Sequence, residues 1–555
     1  MDSYDFIIVG AGASGCLLAS RLAKDLPDHS VLLLDAGGKN ADIDHQSYGE
    51  RHWTFMVAPG ANWGYKTTPQ PQLGGREIDF SRGKGLGGST AINFCVYTRG
   101  PSIDYDDWAK LVGDDEWSWK NALKRFQKLE TFHHPPKEYE PFAKVSADAH
   151  GFDGPVDVGL TEKWDPSLGE FLKKIYEYQP KNLDHNSGDP LGISICQVGV
   201  RDGCRVNAAD TFLSPNFPNL TVVTEAPATK ILFDGKTATG VEVSGRKYIA
   251  RREVILSAGS VDSPKLLLLS GVGPSQELQQ FGIPLVQELP DVGKNLDDHL
   301  YLFMVSTQNP RGHHRTSHIK SPQALEEARK QYQKDKTGPL SEAFLPQMLA
   351  FLKNSKALTS KEFEELDADA QKALLADTKP TFEILSQVPN PFVPETESYL
   401  STMVGFNGGN GKGEIRLRSS DPNDHPIIEP NYLSRPVDRR FAIEAVRGTL
   451  ELLDIPALSK DRTGYCTGPK GSSDEEILQF ISEAATSMWH ASGTLKMGKP
   501  QDPDTCVDTD FKVRGVDHLR VVDMSVAPLL PSAHTQACAY LIGETAADKI
   551  VAAYS

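Results

Sequence analysis

The first thirty-five residues constrain the chain more than any other stretch. Tyr4–Val9 (YDFIIV), apolar apart from Asp5 and rich in β-branched and aromatic side chains, reads as a buried strand. It leads into Gly10-Ala11-Gly12-Ala13-Ser14-Gly15, a helical spacing of Leu17, Leu18 and Leu22, and a second apolar strand, SVLLLDAGG, that reaches Asp35. Strand, glycine turn, helix and strand open a parallel α/β sheet. The three glycines serve different ends. Gly10 makes the tight turn, Gly12 lets a pyrophosphate approach the backbone, and Gly15 lets helix and strand pack closely. The first-turn N–H groups, at Ala13 and Ser14, are placed for phosphate. Asp35, 25 residues after Gly10 and followed by Ala36, is placed for ribose hydroxyls. The reading is a dinucleotide site; this motif alone does not separate FAD from NAD.

At 555 residues the chain is too long for one ordinary core, so two domains are expected. REVILSAG (252–259) and LRVVDMSVAP (519–528) read as further buried strands, so the nucleotide domain draws on the start, middle and end of the chain. The expected division assigns 1–155, 205–309 and 490–555 to that domain, and 156–204 and 310–489 to a second one over it. In the second, Ser321-Pro322 opens a helix that Gly338 stops, and residues 361–376 predict one amphipathic helix. Acidic residues (74) outnumber basic ones (58), a net charge of −16, which argues against nucleic-acid binding and against anionic lipid. No apolar run approaches a membrane span, and the N-terminus lacks a secretory pattern, so a cytoplasmic or other intracellular protein is expected. Seven scattered cysteines without a CxxC pair argue against a disulfide framework or a structural zinc. The histidine-rich stretch 311–318 (His313, His314, His318) lacks a convincing ligand spacing, so no metal site is expected.

A second glycine block, SRGKGLGGSTAINFCVYTRG (81–100), crowds Gly83, Gly85, Gly87 and Gly88 into six residues, which presses backbone against a large flat or phosphorylated object. A third block, SAGSVDSPKLLLLSGVGP, begins at Ser257. These blocks resemble the two signature motifs of the glucose–methanol–choline (GMC) oxidoreductase family. DVGKNLDDH (291–299), GEIRLRSSDPNDHPIIEPNYL (413–433) and LRVVDMSVAP resemble further family segments. The resemblance implies a discontinuous Rossmann-like FAD-binding domain, a substrate domain of antiparallel sheet and helices, and oxidation of an alcohol. The reduced flavin would be reoxidised by oxygen or a quinone-type acceptor.

The resemblance also implies site residues. His490, in an H-x-x-G-T context with Gly493 and Thr494, stands at the family's catalytic base. His534, 44 residues later, stands at the family's second polar position. Arg82, Gly83, Gly87, Gly88, Thr90 and Asn93, with Phe94, Cys95 and Val96, are expected at the cofactor. So are Ala228, then Ser257, Ala258 and Gly259, then Asp523 and Met524, and Thr535 and Gln536 beside His534. The family's usual acid at Asp35 is glutamate, a longer form of the same group. Members with covalent flavin carry histidine where this chain has Ile92, so non-covalent FAD is expected. A formate-oxidising member has arginine in place of His534, so a small carboxylate substrate is not expected. A hydroxynitrile lyase on the same FAD-containing fold is the alternative activity. A flavin-binding protein without catalysis is disfavoured by the intact histidine pair.

Overall fold

The apolar N-terminal run forms a central strand, Asp2–Val9, of a seven-stranded sheet. This computed structural model describes residues 2–40, 60–135, 137–160, 168–309, 321–342, 348–386, 398–407 and 412–555. Asp2–Val9 pairs in parallel with Val31–Leu34 on one side and with Arg246–Leu256 on the other. Leu220–Val223 extends the parallel sheet beyond Val31–Leu34, and Leu519–Val521 pairs with the end of Arg246–Leu256. The antiparallel strands Ala228–Asp234 and Thr237–Val243 finish that edge. Phe6, Ile7 and Ile8 have no exposed surface, which explains why the run shows no alternation of apolar and polar residues. Each such side chain contributes roughly 1.5–3 kcal/mol by leaving water. The helices Ala13–Asp25 and Gln536–Tyr554 cross closely on this sheet. Ser14 Oγ donates to Ala539 O at 2.7 Å, and a Cβ on Gly543 would sit only 3.0 Å from Ser14 O.

A second, antiparallel sheet runs Met348–Leu352, Phe382–Ser386, Ser398–Phe406, Leu300–Gln308, Arg462–Thr467, with Thr486–Ser487 pairing the start of Leu300–Gln308. Alternation decides its faces. Leu302, Met304, Ala350, Ile384 and Val404 are buried in one core with Ala442, Ala445 and Val446 of the helix Pro436–Leu453. The opposite face carries two cross-strand rows, Tyr301–Gly405–Glu383 and Phe303–Met403–Leu385.

Several expectations need correction. The boundary at 309/310 is displaced, because Leu300–Gln308 lies inside the second sheet. The boundary at 155/156 cuts a small sheet in which Glu130–Phe132 pairs with Val156–Leu160. The helix opened by Ser321 ends at Asp335, where Lys336 turns left-handed (φ 58°), before Gly338 is reached. Residues 361–376 form two short helices, Lys361–Glu364 and Ala368–Leu375, because the Asp367 side chain accepts from Ala370 N at 2.8 Å and starts a new helix. The histidine-rich stretch 311–318 lies outside the described residues. Among the described residues no helix is long and apolar enough to cross a membrane, and no group of three metal-type ligands gathers.

Candidate active site

The carboxyl ends of the parallel strands, at Val9, Leu34 and Ser257, open on a cavity of about 540 Å³ that also reaches the second sheet at Tyr301, Phe303, Leu385 and Met403. This is where open α/β sheets bind ligands. Three helices begin at its wall without a side-chain cap: Ala13–Asp25 after Gly12, Gly259–Leu269 after Ala258, and Gln536–Tyr554 after Thr535. First-turn N–H groups and positive dipole ends favour anions, though the Gly259 N–H is already given to the Asp523 carboxylate at 2.9 Å. Arg82, Lys84 and Lys265 add cations to the wall. The two glycine blocks meet without room for side chains. A Cβ on Gly88 would lie 2.8 Å from Gly12 Cα, and one on Gly83 would lie 2.1 Å from Gly88 O. A cleft with bare backbone, helix N-termini and cations at its wall fits FAD.

Every residue expected at the cofactor lines the cavity except Gly15 and Gly87. A Cβ on Gly15 would meet Gly10 O at 2.0 Å, so this glycine serves helix–strand contact. Gly87 lies under the loop, donating its N–H to Ala11 O at 2.9 Å. Asp35 does more than await a ribose. Its carboxylate accepts from Ala11 N, Gly37 N and Gly85 N at 2.8–2.9 Å, so it ties both glycine blocks to its own strand. Burial pushes its carboxyl up, and these three bonds oppose that shift. Asp523 plays the same part opposite, accepting from Gly259 N, Ser263 Oγ and Ser525 N. Asn93 donates to Gln536 Oε1 at 2.7 Å, and Arg205 donates to Asn93 Oδ1 at 2.8 Å, so those wall residues are held in one chain of bonds.

His490 and His534 both line the cavity, with ring centroids 5.0 Å apart and planes at 70°. His490 is held by its loop. Trp489 adopts φ 60°, a strained value for a non-glycine residue, and its carbonyl accepts from Arg82. Gly493 (φ 81°) leaves space that a Cβ would take from Asn295 O at 2.7 Å, and Thr494 Oγ1 donates to Ser260 O at 2.7 Å. The H-x-x-G-T pattern is therefore a fixed turn with its imidazole at the cavity wall. Burial, reinforced by His534, His299 and Arg82, holds the His490 imidazole well below its ordinary pKa, so it is neutral at working pH. His534 is held by its backbone N–H, which donates to Thr98 Oγ1 at 2.7 Å.

Three neighbours of the histidine pair have no counterpart among the residues expected from the sequence. Glu383, fully buried, presents Oε1 3.3 Å from His534 Nε2; a Cβ on Gly405 would sit 2.6 Å from Glu383 Cγ, so only glycine lets it lie there. Asp298 accepts from the His490 backbone N–H at 2.6 Å and from Ser487 Oγ and Tyr432 Oη. His299 Nδ1 lies 3.0 Å from His490 Nδ1. Two acids and a histidine inside an apolar context, NLDDHLYLF, were the available signal for the last two; Glu383 gave none, because its partner is 151 residues away.

These features define an FAD-type dinucleotide site with a histidine pair facing into it. Two family models described as GMC oxidoreductase match residues 4–301 and 410–543, and the chain belongs to this FAD-dependent family. It is 34% identical to the alcohol dehydrogenase (acceptor) of Pseudomonas putida, covering 99% of this chain and 96% of that one. It is 33% identical to oxygen-dependent choline dehydrogenase 1 of Chromohalobacter salexigens, covering 99% and 94%. A solved structure described as an FAD-dependent oxidoreductase from Chaetomium thermophilum superposes with a TM-score of 0.88 at 27% identity, over 99% of each chain.

Proposed function

We propose that the protein oxidises an alcohol to an aldehyde or ketone, with His490 as base and His534 as hydrogen-bond partner of the alcohol oxygen. The carrying observation is the pairing of the two imidazoles at one cavity wall, 5.0 Å between centroids. FAD, held non-covalently by the two glycine blocks and the helix start at Ala13, would supply the two-electron acceptor for hydride from the carbinol carbon, with oxygen or a quinone-type compound as final acceptor. His490 takes the hydroxyl proton, and its neutral imidazole is the form able to do so. His534 steadies the negative charge that grows on the oxygen. Phe94, Tyr301, Phe303, Leu385, Met403 and Trp489 wall the space near the histidines, which favours an alcohol with an apolar or aromatic group.

Ile92 lines the cavity with a hydrocarbon side chain, which offers no nucleophile for a flavin linkage. Acid precipitation should therefore leave the yellow colour in the supernatant; colour retained in the pellet would refute non-covalent binding. The activity itself is tested by mixing the holoenzyme without air against a panel of primary and aromatic alcohols. At least one should bleach the flavin, and admitting air or a quinone should restore it. Absence of bleaching by any alcohol, with cleavage of mandelonitrile to benzaldehyde and cyanide, would assign the lyase activity instead.

A further inference from the structure

Behind His490 runs a short antiparallel stretch. Met488 N donates to His299 O at 2.8 Å, and Asp297 and Ser492 exchange backbone bonds at 2.9 and 3.1 Å. This register sets the side chains of Asp298 and His299 directly against His490. Asp298 takes the His490 backbone N–H, and His299 meets its ring. Both rings are buried, with centroids 5.2 Å apart and planes at 80°. The Nδ1–Nδ1 contact at 3.0 Å has room for one proton only, so one imidazole donates and the other accepts. If His299 donated, His490 would carry its proton on Nε2 and have no lone pair there to receive another. If His490 donates, Nε2 is bare.

We propose that His299 is a positioning residue that accepts from His490 Nδ1–H and so fixes the His490 tautomer with a bare Nε2. It touches no substrate; it acts through the ring it orients. The arrangement serves both protonation states of His490. The neutral ring donates Nδ1–H to His299, and so does the imidazolium left after proton uptake, now as a stronger, charge-assisted bond. Throughout, His299 must remain neutral, since two N–H groups would otherwise oppose each other. Burial, reinforced by His534 and Lys379, pushes its imidazole down to about 3, which meets that condition. The inference rests on His490 being the base.

The direct test is the ring-nitrogen spectrum of ¹⁵N-histidine-labelled holoenzyme, with the His490 signals identified by their loss in His490→Gln. Protonated Nδ1 with unprotonated Nε2 is expected; protonated Nε2 would overturn the proposal. His299→Phe keeps a planar ring and removes the acceptor. It should shift the His490 tautomer and slow anaerobic flavin reduction at least about tenfold, with FAD content retained. His299→Asn keeps an acceptor oxygen and should recover most of the rate. An unchanged tautomer and rate in His299→Phe would also overturn the proposal. Failure of the underlying reading shows separately, as normal reduction in His490→Ala whatever the tautomer.

Discussion

His490→Ala should slow anaerobic reduction of the flavin by a reactive alcohol by about 10²–10⁴, the usual worth of a positioned general base. That is roughly 3–5 kcal/mol of barrier at about 1.4 kcal/mol per decade. FAD content should stay near normal, because the uncapped helix ends and the glycine blocks that would hold the cofactor do not depend on this ring. His534→Asn should cost less, since an amide still donates to the alcohol oxygen. Stopped-flow reduction of FAD-loaded variants decides both. Near-normal reduction in His490→Ala would remove this residue from the mechanism. An equal loss in His534→Asn would show that the His534 imidazole itself handles the proton, with Glu383, 3.3 Å from its Nε2, as the group that balances the charge.

The other large effect separates two glycines three residues apart. A Cβ on Gly15 would lie 2.0 Å from Gly10 O, a distance backbone atoms cannot accept. Gly15→Ala should therefore force the helix Ala13–Asp25 off the strand Asp2–Val9, costing about 1–3 kcal/mol or more as overpacking does. Both the apo melting temperature and FAD content should fall. A Cβ on Gly12 meets nothing within 4 Å and has an ordinary φ of −81°, yet Gly12 lines the cavity. Gly12→Ala should leave the apo melting temperature unchanged and weaken FAD at least about tenfold, or 1.4 kcal/mol. Thermal unfolding without cofactor, beside fluorescence titration with FAD, distinguishes the two. Equal melting temperatures for both variants would refute the packing role of Gly15, and wild-type affinity in Gly12→Ala would refute close approach of the cofactor there.

The sequence by itself determined the nucleotide half of this protein. Tyr4–Val9, the Gly10–Gly15 turn and Asp35 lie within a few turns of each other along the chain, and turn sterics and helix–strand packing act over that range. The H-x-x-G-T turn was legible only through the family resemblance, and its left-handed Gly493 sits where a Cβ would meet the distant Asn295 O at 2.7 Å. Family resemblance added the pairing of His490 with His534, which no local rule connects. Boundaries read less well. Strand Leu300–Gln308 looks like any apolar run until its partners Ser398–Phe406 and Arg462–Thr467 are known. Asp35 was legible as an acid at a strand end, but its three backbone donors come from separate loops. Only the tertiary structure placed Glu383 against His534 and His299 against His490, because those contacts cross between elements 151 and 191 residues apart. Hydrophobic patterning records which face of a strand is buried. It carries no record of which distant polar group will meet a buried histidine, since that depends on how the two sheets close around the cavity.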